Sequence, residues 1–238
     1  MTGAGRRGRG GLAAFGALVV LLAAGFTALG VWQLERRVWK LDLIARVDAR
    51  VHAPPSAPPG PAAWPSVSVA RDEYRRVSVS GLFEGPQTRV QAVTERGPGF
   101  WVMAPLRTAA GFTVLVNRGF VPQGMASPPP PRGRVTVTGL LRLSEPHGGF
   151  LRANRPAEGR WYSRDVAAIA RADGLHDVAP YFIDADSTPN PGGWPLGGLT
   201  VIHFRNAHLS YALTWFALAL LSAGGGILLL RDVRRRRG

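Results

Sequence analysis

Two stretches of the chain carry no charged side chain, Leu12 to Val31 and Leu209 to Leu230. Each matches the roughly 20 apolar residues that carry a helix across a hydrocarbon core of about 30 Å. The pattern predicts transmembrane helices over residues 12–32 and 209–230. The helical period continues past the first, because Val31, Leu34, Val38, Leu41 and Ile44 recur every three or four residues with charges between them. An amphipathic helical arm is therefore expected over residues 33–52. Residues 53–65 contain six prolines and read as an extended, polyproline-type linker.

From residue 66 to 208 the period shortens to the alternation of strands. Tyr74 to Phe83 puts Val77 and Val79 on one face, and Arg134 to Leu143 does the same with Val135 and Val137. Arg89 to Val93, Phe100 to Arg107, Phe112 to Asn117, Tyr181 to Asp184 and Thr200 to Phe204 complete seven expected strands, separated by Gly and Pro turns. One short helix is expected over Arg164 to Ala172, capped by Ser163 and ended by Gly174. The predicted fold is a two-helix transmembrane hairpin enclosing a mainly antiparallel β (α+β) extracytoplasmic domain, a sheet or small open barrel.

Charge fixes the expected orientation. The tails, residues 1–11 and 231–238, hold eight of the 29 Lys and Arg residues against the single acid Asp232, half of the net charge of +14. Basic residues at span ends mark the cytoplasmic side, so both termini are expected in the cytoplasm and the domain outside the cell membrane. Arg36, Arg37 and Lys40 follow the first span on the opposite side, but they open a long translocated segment, where charge counts for less. No basic stripe with interleaved aromatics is present, so nucleic acid is not an expected partner, whereas membrane lipid is. The first apolar run is too long for a signal-peptide core and lacks a small-x-small cleavage site, which makes it an uncleaved anchor. Residues 2–11, rich in Gly and Arg, are expected to be disordered. Ala13, Gly16 and Ala17 lie at the depth of Gly224 to Gly226, where small residues let two helices approach. The absence of cysteine excludes disulfides, thiol catalysis and Cys-based copper carriage, and three methionines make a Met-rich copper site unlikely to form.

Five motifs stand in order along this framework: Leu29-Gly-Val-Trp-Gln-Leu-Glu-Arg-Arg-Val-Trp-Lys40, Tyr74-Arg-Arg-Val-Ser-Val-Ser-Gly-Leu-Phe83, Gly97-Pro-Gly-Phe-Trp-Val-Met-Ala-Pro-Leu106, Val114-Leu-Val-Asn-Arg-Gly-Phe-Val-Pro122 and Asn206-Ala-His-Leu-Ser-Tyr-Ala-Leu-Thr-Trp-Phe216. Together, from Leu12 to Leu230, they resemble the surfeit locus protein 1 family, in its bacterial members: membrane factors for assembly of haem-copper cytochrome c oxidase. The resemblance implies a non-enzymatic biogenesis factor that meets oxidase subunits or assembly intermediates, and that assists haem a insertion or stabilises an early subunit intermediate. It implies haem a as a transient cofactor and His208 as its iron ligand. The alternative is a membrane-tethered protein-binding or sensor module without a haem role.

The residues themselves allow both. A neutral imidazole is a good haem ligand, and His208 sits at the outer end of the second span. Tyr211 and Trp215 follow it at three and seven residues and are expected on the same helix face, with Trp32 and Gln33 at similar depth on the first helix. A flat macrocycle could lie between Trp32 and Trp215, with Arg36 or Arg37 reaching its propionates. An aromatic belt at the membrane interface explains the same residues without a ligand. Elsewhere, Asn117-Arg118-Gly119 is expected at a strand end, with Arg118 tying down a turn in preference to contacting a partner subunit, and Gly97-Pro98-Gly99 as a tight turn. His52, His147, His176 and His203 show no metal-ligand spacing, with His203 a weaker second-ligand candidate. Asp184 and Asp186, expected on one side of a strand, and Glu145 with His147 are the only acids placed for catalysis, and no nucleophile or third ligand accompanies them.

Overall fold

The computed structural model describes residues 4–149, 152–202, 204 and 206–236. The elements run α1 (Ala4–His52), a 3-10 turn (Pro61–Ser66), α2 (Val69–Asp72), β1 (Arg76–Phe83), β2 (Thr88–Thr94), β3 (Gly97–Thr108), β4 (Thr113–Pro122), β5 (Arg134–Leu143), α3 (Val166–Ala172), β6 (Val178–Ala185) and α4 (His208–Arg235). Two compact units result, one from residues 1–46 and 203–238 and one from residues 47–202.

In the helical unit, α1 and α4 pack as an antiparallel pair, and both are long and apolar enough to cross a membrane. α1 starts at Ala4, so the helix takes in most of the Gly- and Arg-rich stretch that precedes the first apolar run. The residues of α1 drawn into the seam recur every three to four positions: Phe15, Val19, Ala23, Phe26, Gly30, Gln33 and Arg37 are buried or half-buried. Close approach is made by Gly30, where a Cβ would stand 2.6 Å from the Phe216 ring, and by Gly226, where it would stand 2.5 Å from Val19. Gly16 and Gly225, expected to meet, have no neighbour within 4 Å of a Cβ position. Gly226 belongs to the small-residue group expected in the seam, whereas on α1 the close approach is made by Gly30 and not by Gly16. The apolar stripe Val31, Leu34, Val38 and Leu41 is exposed on α1.

The domain is a small barrel. β2 and β3 form a hairpin, β3 pairs with β4, β4 with β6, β6 with β5 and β5 with β1. The end of β3 then pairs with the end of β1, Leu106 opposite Phe83 and Thr108 opposite Gly81, which closes the ring that the sequence left open. All pairs are antiparallel except β4 with β6, which a crossover through α3 makes parallel. Strand alternation sorts the core into two clusters. Val77, Leu106, Val114, Leu141, Tyr181 and Ile183 fill the first, and Val90, Met103, Leu115, Trp161, Ile169 and Phe182 form the second, under α3. Each such fully buried side chain contributes about 1.5–3 kcal/mol.

Four expectations are corrected here. Thr200, Val201, Ile202 and Phe204 form no strand, because both edges of β6 are already taken by β4 and β5. Gly97-Pro98-Gly99 opens β3, the turn being Glu95-Arg96. The helix begins at Val166 and is capped by Asp165, whose carboxylate accepts from Ala168 N at 3.0 Å, whereas Ser163 accepts from Gly148 N and Asn154. The proline tract is built into the domain rather than separating it. Ser56 bonds both ways to β1, Trp64 stands edge-to-face on Phe112 at 5.8 Å, and Tyr181 Oη and Trp64 Nε1 both donate to the Pro59 carbonyl. Proline has no amide hydrogen to satisfy, but its carbonyls accept freely.

Candidate functional site

His208 is the first residue of α4, half-buried against α1. Its Nδ1 lies 2.7 Å from Gln33 Oε1. An amide oxygen only accepts, so Nδ1 is the donor in this contact. This is the arrangement of a histidine ligand with an oriented ring: one nitrogen fixed by a neighbour, the other available. The period of the seam explains the pairing, because Gln33 follows Gly30 and Phe26 on the face of α1 that meets α4.

The remaining predicted residues divide. Trp215 is in the seam, stacked on Phe26 with ring centroids 5.7 Å apart and planes at 24°. Trp32 and Tyr211 lie outside it, 50% and 57% exposed. The expected common face of His208, Tyr211 and Trp215 is therefore split, since position 211 falls on the flank of a seam that runs through 208, 212 and 215. Trp32 and Trp215 do not share the seam, because Trp32 is one residue, about 100° of helix turn, away from Gln33. Arg36 is exposed and lies over the Trp39 ring at 4.5 Å, and Arg37 is half-buried on the seam side. Lys40 Nζ stands 5.0 Å from the centre of the Phe204 ring, adding a third cation at this end. His203 lies outside the described residues. His52 bonds Asp48 within α1, and His147 sits in a left-handed loop conformation with φ +75°. No group of three or more His, Cys, Asp or Glu among the described residues is placed to hold a metal ion.

The domain contains a second polar centre that the sequence pointed to only in fragments. Asp184, 4% exposed on β6, accepts from Asn117 Nδ2 at 2.8 Å, Arg142 Nη1 at 3.0 Å, Arg164 Nη1 at 3.0 Å and Thr200 Oγ1 at 3.0 Å. Arg142 also holds Glu73 at 2.8 Å, and Arg164 holds Glu145. Burial pushes the Glu145 carboxyl up, but the Arg164 hydrogen bonds and charge outweigh it and hold the group below the ordinary carboxylate range. A cleft of about 510 Å³ opens beside this network, lined by Trp101, Arg142, Arg164, Leu199 and Thr200. Asp186 lies beyond the end of β6 and accepts from Thr188 N, so it does not share a face with Asp184 as expected. Every carboxylate of the network faces a guanidinium, which leaves the arrangement suited to clamping β5, β6 and the α3 loop together.

Asn117-Arg118-Gly119 stands in the middle of β4, not at its end. Gly119 has φ +130°, and a Cβ there would collide with the backbone of Leu196, which bridges to Phe120. Only glycine permits that approach. Arg118, 2% exposed, donates to Gln87 Oε1 and the Pro128 carbonyl at 2.8 Å and to Asn190 Oδ1 at 3.1 Å, tying three loops to the strand.

Comparison with known proteins covers both units. Residues 20–220 match the sequence model of the family described as the SURF1 family. The chain is similar to Surfeit locus protein 1 of Homo sapiens, at 37% identity over 84% of this chain and 73% of that one. It is similar to a SURF1-like protein of Monosiga brevicollis at 37% identity, over 88% of this chain and 85% of the other. A SURF1-like protein of Caenorhabditis briggsae is 32% identical over 86% and 72% of the two chains.

Proposed function

The chain belongs to the SURF1 family, a family of cytochrome c oxidase assembly factors, and we propose that within it this protein holds haem a transiently at His208 while the oxidase is assembled. One contact carries the reading. His208 Nδ1 and Gln33 Oε1 share a hydrogen bond that orients the ring, which would present Nε2 to an iron at the outer end of the hairpin. When bound, haem a would supply an iron needing an axial nitrogen and two propionates needing cations. His208 would bind, Gln33 would orient it, and Arg36, Arg37 and Lys40 are the cations at that end. Trp32 and Tyr211, both about half exposed, are the flat apolar surfaces open to a macrocycle. Trp215, stacked on Phe26, is not.

The protein acts here by binding, shielding and release, with no bond made or broken. Its partners are oxidase subunits or assembly intermediates, and its helices lie in lipid. The cell membrane is its location, with both termini cytoplasmic and the domain outside. Arg231, Arg234, Arg235 and Arg236, all exposed at the end of α4, support that orientation. The Trp215–Phe26 stack, about two turns along α4 from His208, takes Trp215 out of reach of a ligand and leaves room for the alternative of a tethered protein-binding module.

The purified chain titrated with haem a separates the two. Wild type is expected to shift the visible spectrum saturably, His208→Ala to lose the shift, and Gln33→Leu to bind about 10–100-fold more weakly. Equal binding by wild type and His208→Ala would overturn the reading.

A further inference from the structure

Arg142 and Arg164, both half-buried, each face carboxylates, whereas the fully buried Arg118 does not. Its three acceptors, Gln87 Oε1, the Pro128 carbonyl and Asn190 Oδ1, are all neutral, and no Asp or Glu stands within 4.0 Å of it among the described residues. Its Nε–H is buried without any acceptor. The Ser127 hydroxyl, one residue from Pro128, is a second buried group with no partner. A buried cation without a counter-ion costs several kcal/mol, which is why such charges are normally paired. Here the burial is undiluted by any opposing charge, and it alone pulls the guanidinium down to about 10.

Arg118 lines a cavity of about 190 Å³ with Phe83, Val135, Val137, Pro189 and Asn190. That volume holds a carboxylate and a short stem, and the lining offers one cationic group, an amide and apolar walls. Two proline-containing loops, around Pro131 and around Pro189, form its rim. Asp186 lines the same cavity without pairing with Arg118, so it opposes an incoming anion.

We propose that the Arg118 cavity takes up a carboxylate of a partner polypeptide, from an acidic side chain or a chain terminus, as the missing counter-ion. The proposal is independent of haem binding at His208. Nε–H has no accessible surface, so an incoming carboxylate reaches it as the loops holding Gln87, Pro128 and Asn190 shift, and those loops report its arrival because the same guanidinium anchors all three.

The test uses the full chain in detergent, with arginine labelled by 15N at Nε. The Arg118 resonance is assigned by its loss in Arg118→Lys. Sodium acetate is titrated against sodium chloride at constant ionic strength, and then N-acetyl-aspartate amide and glycylglycine replace acetate. Acetate is expected to shift the Arg118 Nε–H saturably where chloride does not. Asp186→Asn, which removes the opposing charge, is expected to tighten acetate about two- to fivefold, the worth of a screened like-charge contact. Binding of N-acetyl-aspartate amide assigns the site to acidic side chains, and binding of glycylglycine to chain termini. An unsaturable drift shared with chloride, or an Asp186→Asn variant that binds acetate as wild type does, overturns the proposal. Acetate binding that neither peptide carboxylate reproduces is small-anion binding only and overturns the polypeptide assignment.

Discussion

Asp184→Ala removes one buried carboxylate on which four donors from four segments converge. Asn117 of β4 and Thr200 lose neutral hydrogen bonds, each worth about 0.5–1.5 kcal/mol net. Arg142 and Arg164 lose a charged partner, and their side chains are only 15% and 12% exposed. Full loss of a buried ion-pair partner costs about 3–5 kcal/mol. The two arginines keep Glu73 and Glu145, which limits their share, whereas the orphaned Asn117 and Thr200 add to the loss, so a total of about 3–5 kcal/mol is expected for the variant. For a domain of this size that corresponds to a fall in Tm of about 6–20 °C. Thermal unfolding of the full chain in detergent, followed by the fluorescence of the domain tryptophans, measures it. Asp186→Asn is the control, expected to stay within about 0.5 kcal/mol because Asp186 serves only a loop amide. A loss below about 1 kcal/mol in Asp184→Ala would refute the clamp, and would mean that water replaces the carboxylate without strain.

Gly119→Ala is expected to cost at least about 2 kcal/mol, since it adds strain at φ +130° to a collision with Leu196; a midpoint in denaturant equal to wild type would contradict the close approach. The hairpin register predicts that Val19→Cys with Gly226→Cys cross-links under mild oxidation, because their Cβ positions lie 3.2 Å apart, whereas Gly16→Cys with Gly225→Cys does not; gel mobility reads both, and the reverse result would move the seam. For pH, Glu145 and Asp72 are both held below their ordinary values: burial raises each, but Arg164 outweighs it at Glu145, and Ser68 N with Arg75 and Arg71 outweighs it at Asp72. Groups depressed on folding stabilise above the unfolded carboxylate value of about 4 and lose that contribution as pH falls through the folded one. Domain stability is therefore expected to be level from pH 7 to about 5 and to fall below about 4, with a shallower fall in Glu145→Gln; an identical slope in that variant would remove Glu145 from the account.

What was legible in the sequence was periodic or local. The uncharged runs marked α1 and α4, and alternation placed β5 at Arg134–Leu143, the limits that the structure shows. The histidine motif at the start of α4 was also visible, since it depends on neighbours along one helix. What was hidden depends on contacts between distant positions. Arg142 and Arg164 look like solvated charges until Asp184 is brought to them across two further elements. Gly119 suggested a strand end because its positive φ is usually a turn; here it lets the Leu196 segment approach β4 in mid-strand. The proline tract read as a spacer because its role lies in the Pro59 carbonyl, which Tyr181, 122 residues later, finds. Barrel closure was equally invisible, resting on three residue pairs between the ends of β1 and β3.

The most direct test of the central claim is a reduced-minus-oxidised optical spectrum of membranes from a strain lacking this gene, complemented in turn with wild type, Gln33→Leu and His208→Ala. The haem a band is expected to fall on deletion, to return with wild type, to return in part with Gln33→Leu and to stay low with His208→Ala at equal protein level. Full restoration by His208→Ala would contradict the account and leave the hairpin as an anchor alone.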